Sequence, residues 1–439
     1  VSVAVLPVIF RGLVWGHPGR PGGGRQRPLD PDSVTQQYRR HLPRAEVRDA
    51  LVVDSEEEAR RLPERLEGVD LLLVVRPELL SVRWAVKALE AAGLPIVLHG
   101  AKNRPGAVIA DLYGYLRADG HDATLALDFP DIARRVRVVE AVKRLRGARV
   151  LVVGEGFPSW SQVANPTSPE AVEEVFGVEV VQVDVEFLFE AIHRTDRGAA
   201  EALAQRWMRE AAEVTPEARN AVVEAAQTHL ALAGLVRRHG AAAVTVDCRL
   251  MDELSVERHG IFYSPCMSLT VLRGEGVPAA CEADVNALLS MMVLGYLADR
   301  PTFMGNLSLV DPEEGCIEIA HCAATNRMDG YEAEPTPYTL MDYHHRGTGL
   351  ASYSRLREGQ VVTVARLDKN LRHLSVAVGP IVDSAQGTGC VNRIRVRIGD
   401  ARGFAERCLA GDHHAVVYGD VTDEVRSLCR TLGLGVLTP

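Results

Sequence analysis

The stretch PCMSLTVLRGEGVPAACEADVNALLSMMVLGYLADRPTFMGN, residues 265–306, holds the side chains best placed to do chemistry. A short apolar run, PAAC, ends in Glu282, and a long apolar segment starts two residues later at Asp284. The carboxyl end of a strand is where an α/β protein places its working groups. A charge between two buried segments needs a cation or a hydrogen-bond partner. Asp284 sits where a helix N-cap is expected, a structural role that accounts for it by itself. His321 lies in GCIEIAHCA (315–323). There Ile317, Ile319 and His321 share one strand face, with Cys322 on the other. A satisfied core histidine is the plain alternative to a ligand at that position. His413 and His414 open the run HHAVVYGD. As neighbours on a strand they point to opposite faces, so only one of them enters a given site.

Other residue types narrow the chemistry. The cysteines are Cys248, Cys266, Cys281, Cys316, Cys322, Cys390, Cys408 and Cys429, with no C-x-x-C pair among them. That spacing gives no support to a zinc ribbon or a thioredoxin-type motif and reads as buried free thiols in a reducing compartment. Only Lys87, Lys102, Lys143 and Lys369 are lysines, which leaves few candidates for Schiff-base chemistry. Gly154 and Gly156 follow a strand in G-E-G-F-P-S. Pro158 and the missing third glycine make this an ordinary strand exit rather than a dinucleotide loop.

The elements that must position these residues fall into three blocks. Over 1–147, strand-like runs at 3–10, 51–53, 70–75 and 95–100 alternate with helical patterns at 55–66 and 82–92. Ser55 followed by Glu58 has capping-box spacing. This alternation predicts parallel βαβ units. The Gly/Pro-rich stretch 17–31 predicts a loop after the first strand, at the edge where ligands bind. A second α/β block, 148–300, starts at ARVLVVGEGF and continues through strands at 178–185, 242–248 and 278–282. Over 301–439 strands follow one another with few helices, which predicts a β-rich domain, with a barrel as one form. The fold class expected is therefore α/β, with two Rossmann-like parallel-sheet domains followed by a β-rich C-terminal domain.

Composition bounds the function class. The chain has 439 residues, 47% of them hydrophobic and 24% charged, so it is globular rather than disordered. A net charge of −9 argues against a general nucleic-acid binder. No apolar run reaches the ~18 residues of a membrane helix. The opening VSVAVLPVIF lacks a basic n-region and reads as a first strand, so a cytoplasmic protein is expected.

Four motifs together carry a family resemblance: P-A-A-C-E-A-D-V-N-A-L-L, R-P-T-F-M-G-N, I-A-H-C and H-H-A-V-V-Y-G-D. The chain resembles the L-fucose isomerase and L-arabinose isomerase superfamily, most clearly over 240–325 and 405–420. The resemblance implies an aldose–ketose isomerase acting on a pentose or a 6-deoxyhexose through a cis-enediol, with Mn²⁺ (or Mg²⁺) as cofactor. Carried over residue by residue, the metal ligands fall on Glu282, Asn306 and His413. Glu282 also acts as acid/base, and His321 assists proton transfer or binds substrate beside Asp284 and Asn306. Asn306 departs from the family, where that position is normally Asp or Glu. An amide can ligate a hard cation but cannot serve as a base. The departure keeps an epimerase or lyase on a modified sugar open, alongside a non-catalytic sugar-binding protein. The resemblance further implies a homo-oligomer, a trimer or hexamer, with Trp15 and His17 near a subunit contact.

Overall fold

The computed structural model describes residues 1–11, 28–77, 81–100, 103, 106–157, 162–166 and 168–439. Trp15, His17 and most of the Gly/Pro-rich stretch lie outside the described residues. The chain divides into two compact units, Val1–Lys143 and Arg144–Pro439.

The first unit is built on a parallel sheet. Its strands are β1 (Val3–Phe10), β2 (Ala45–Val47), β3 (Leu51–Val53), β4 (Leu71–Val75), β5 (Ile96–His99) and β6 (Ala123–Ala126). They run in the order β2-β1-β4-β5-β6, with β3 also on β1. All of β1 and β4 is buried, as strands covered on both faces must be. Ser55 caps the helix Glu56–Arg61, and the Glu58 carboxylate reaches back to the Asp54 N–H at 2.9 Å. Pro63 sits inside the 3₁₀ turn that ends this segment.

The second unit contains a second parallel sheet and a β-rich part. The sheet comprises β7 (Arg149–Val153), β8 (Glu179–Val183), β10 (Ala243–Val246) and β11 (Ala279–Cys281), in the order β11-β10-β7-β8. Between them in the chain, β9 (Glu213–Val214) joins a small sheet with β14 (Tyr338–Met341) and β15 (Ala351–Ser354). Gly154, just past β7, has φ of +107°, and a Cβ there would meet Asp247 Cβ at 2.5 Å. Glycine is thus required by both conformation and space.

The β-rich part comprises β12 (Phe303–Asp311), β13 (Cys316–His321), β16 (Val361–Leu367), β17 (His373–Gln386), β18 (Asn392–Arg397), β19 (His413–Tyr418) and β20 (Gly435–Leu437). Its order is β16-β19-β12-β13-β18-β17-β20, and β16 also pairs with β17. That extra pairing closes six antiparallel strands into a barrel, leaving β20 parallel on β17. Ile317, Ile319, Val362, Val364, Ile394, Val396, Val416 and Tyr418 form its core. Each strand contributes residues two apart, as alternation requires. The helix Val285–Ala298 is apolar all round and buried from Val285 to Leu297. It packs against β10 and β11 of the sheet and against β16 and β19 of the barrel.

Candidate metal site

Glu282 follows β11 directly and stands on an unusual turn. Glu282 and Ala283 have φ of +58° and +50°, two successive non-glycine residues in the left-handed region. Such positions cost about 1–3 kcal/mol each and persist where surrounding structure enforces them. The enforcement is visible. Ala283 N–H donates to Val246 O at 3.0 Å, and Asp284 N–H to Cys281 O at 3.1 Å. Asn165 donates to Ala283 O at 2.8 Å and accepts from Val285 N–H at 3.0 Å. Asp284 then caps the helix, accepting from Ala287 N–H at 2.8 Å.

The turn delivers Glu282 to two histidines. Its Oε2 accepts from Gln162 at 3.0 Å and pairs with Arg249 at 2.5 Å. Its Oε1 faces His413 Nε2 at 3.8 Å. One ligand atom each from Glu282, His321 and His413 lies within 4.8 Å of the others. The two imidazole rings are 5.4 Å apart. Among the described residues, His413 Nε2 and His321 Nδ1 are buried without a hydrogen-bond partner.

Asp284 spends its carboxylate inside the protein. Fully buried, it pairs with Arg366 at 2.9 Å and with His413 Nδ1 at 3.0 Å through the same oxygen. Burial alone would raise its pKa, but Arg366 and then His413 outweigh burial and hold the carboxyl well below the usual range. Arg366 also donates to His413 O at 2.6 Å. With an ionised Asp284 on Nδ1, the Nδ1–H tautomer of His413 is favoured. Its Nε2 lone pair is then aimed at the space beside Glu282. Burial pushes the His321 pKa well below its ordinary value, with His413 and Arg273 adding to the shift, so this ring is neutral.

His414 faces elsewhere. Its ring lies 5.4 Å from Phe404 in the barrel core, and its Nδ1 bonds Asp412 O at 3.1 Å. Burial, then Arg366, lowers its pKa to about 3. Asn306 pairs across strands with His413, and its amide donates to Asp412 Oδ2 at 2.6 Å.

Several residues of the site went unread in the sequence. Arg366 is the one charge in the run VVTVARL, a signal like that of Glu282. Arg249 follows the end of β10, at the same sheet edge as Glu282. Asp252, three residues on, has its carboxyl raised by burial to about 7, against an opposing hydrogen bond from Tyr343. Gln162 and Asn165 carry no local signal.

No family model matches the chain. Among curated proteins, the sulfoquinovose isomerase of Alkalicoccus urumqiensis is 26% identical over 343 residues, covering 73% of either chain. That of Priestia aryabhattai is 23% identical over 416 residues, covering 87% of this chain and 89% of its own. A third, from Clostridium sp. (strain MSTE9), is 27% identical over 177 residues, covering 38% and 39%. The chain is thus a distant homologue of sulfoquinovose isomerases. Among solved structures, an ABC transporter solute-binding protein from Burkholderia multivorans matches 58% of this chain and 84% of its own. Its identity of 13% and TM-score of 0.16 are too low to bear on the fold. Among the described residues, no helix is long and apolar enough to cross a membrane.

Proposed function

We propose that the chain is a metal-dependent aldose–ketose isomerase acting on a pentose, a 6-deoxyhexose or a hexose modified at C6. Sulfoquinovose, the sugar named for the distant homologues, carries a sulfonate in place of the 6-hydroxyl and is the first substrate to try. The carrying observation is the convergence of Glu282, His321 and His413, with two buried imidazole nitrogens left without partners. One carboxylate and two neutral imidazoles fit a divalent cation such as Mn²⁺ or Mg²⁺. Glu282, His321 and His413 would hold it. When bound, such an ion supplies a Lewis acid that polarises a carbonyl oxygen and stabilises developing negative charge.

The chain's own residues supply the rest. Asp284 fixes the His413 tautomer and ring direction, as a carboxylate does behind a metal-bound histidine. Gln162 and Arg249 hold one oxygen of Glu282, so the other keeps its direction. Aldose–ketose interconversion moves a proton from one carbon of the sugar to its neighbour through a cis-enediol. Glu282 relays that proton. Asn306 pairs across strands with His413 and donates its amide to Asp412, so it is not among the ligands proposed.

The test is Mn²⁺ titration and sugar turnover on the same preparations. Glu282→Gln is expected to fold, to bind Mn²⁺ at least ~10-fold more weakly and to lose ~10²–10⁴-fold in turnover. Near-wild-type turnover and metal binding in that variant would overturn the assignment.

A further inference from the structure

A second cluster of donors lies outside the Glu282 site. Cys322 follows β13, His344 lies in the turn after β14, and Cys390 lies between β17 and β18. One ligand atom of each falls within 4.8 Å of the others, and Cys390 Sγ stands 3.9 Å from His344 Nε2. We propose that Cys322, Cys390 and His344 form a separate site for a thiophilic divalent ion, with Zn²⁺ the best match.

The donor set decides the ion. Two thiolates and an imidazole are soft and borderline ligands, suited to tetrahedral zinc and ill suited to Mn²⁺ or Mg²⁺. Charge balance agrees with the surroundings. Thiol protons leave on binding, and two thiolates with a neutral imidazole cancel the charge of a 2+ ion. A neutral centre suits the apolar cluster that holds it, made of Cys266, Met341, Ala351 and Val391 around Cys322. Cys322 is buried, while Cys390 and His344 are half-buried. Three protein donors leave the fourth tetrahedral position open.

The backbone holds the donors in place beforehand. His344 and His345 have φ of +51° and +57°. Tyr343 N–H donates to Thr348 O at 2.9 Å, and Gly347 N–H to Asp342 Oδ2 at 2.7 Å. His345 Nε2 bonds Gly387 O at 3.2 Å, which ties the His344 turn to the loop bearing Cys390. A bound ion would pin this turn and this loop to the end of β13, one residue past His321.

The experiment uses the full chain, reduced and stripped of metal by a chelator, with Co²⁺ as probe. The expected result is a near-ultraviolet thiolate-to-cobalt charge-transfer band that Zn²⁺ abolishes. It should be lost in Cys390→Ser and should need at least tenfold more Co²⁺ in His344→Ala. It should persist in Glu282→Gln, which separates this site from the other. Absence of the band in the wild type, or its survival in Cys390→Ser, would overturn the proposal. A measurement without substitution checks the same ligand: Zn²⁺ should slow alkylation of Cys390 at least tenfold, mapped by mass spectrometry. An unchanged alkylation rate would also overturn it.

Discussion

Asp284 sets the direction of His413 while keeping the buried Arg366 paired, so one carboxylate serves both stability and site geometry. Asp284→Asn should therefore cost about 3–5 kcal/mol in urea unfolding, because Arg366 is left as an uncompensated buried charge. It should also weaken Mn²⁺ binding about 10–100-fold. His413→Ala should weaken Mn²⁺ binding strongly, whereas His414→Ala should leave it within a few-fold, since His414 faces Phe404. Equal effects in a metal titration would contradict this geometry. His229 gives a pH signature away from the site. Burial beside Trp207, then Arg206 and Arg237, lowers its pKa to about 4. The unfolded chain takes up this proton near pH 6.5 and the folded one only near 4, so stability falls as pH drops through that window. The loss is roughly 3 kcal/mol, and His229→Leu should remove it from melts run between pH 7 and 4. Glu282 was legible because it is a charge set between apolar runs. Arg366 offered the same signal, but its partner Asp284 is 82 residues away and invisible to spacing.

Elements place these residues through one strained turn. Asn165 satisfies Ala283 O and Val285 N–H, both buried. Asn165→Ala should leave both without a partner, at about 1–3 kcal/mol apiece. Turnover should fall at least tenfold with little change in far-ultraviolet dichroism, because the turn that carries Glu282 loosens while the sheet remains. Unaltered turnover would show that the turn holds without the clamp. The strong βα alternation made strands such as Val3–Phe10 and Leu71–Val75 readable, and the run of strands with few helices between them did the same for Phe303–Asp311. Ala45–Val47 and Ala123–Ala126 escaped, being three and four residues long and only partly apolar. The run 178–185 read as one strand, yet Asp184 caps the next helix and ends the strand at Val183. Side-chain capping overrode β-propensity there.

At the scale of the molecule, the α/β and β-rich blocks were readable from texture, which offered a barrel as one form of the last block but not its strand order. The β16–β17 pairing looks like any hairpin in sequence, and only the full strand order turns it into a seam. The Cys322, Cys390 and His344 cluster was hidden for the same reason, since strands far apart in the chain bring it together. The resemblance to fucose and arabinose isomerases leads us to expect an oligomer, a trimer or hexamer, as the active form. Light scattering during turnover should find activity only in the assembled species, and a fully active monomer would contradict that. The proposal at the centre is that Glu282, His321 and His413 would hold a divalent metal and that the loaded protein interconverts an aldose and its ketose. Its most direct test is ¹H NMR in D₂O of Mn²⁺-loaded protein with sulfoquinovose, L-fucose and L-arabinose. One of them should lose its C2 proton signal, chelation should stop the exchange, and Glu282→Gln should not support it. Exchange that continues undiminished in the chelated protein or in Glu282→Gln would contradict it.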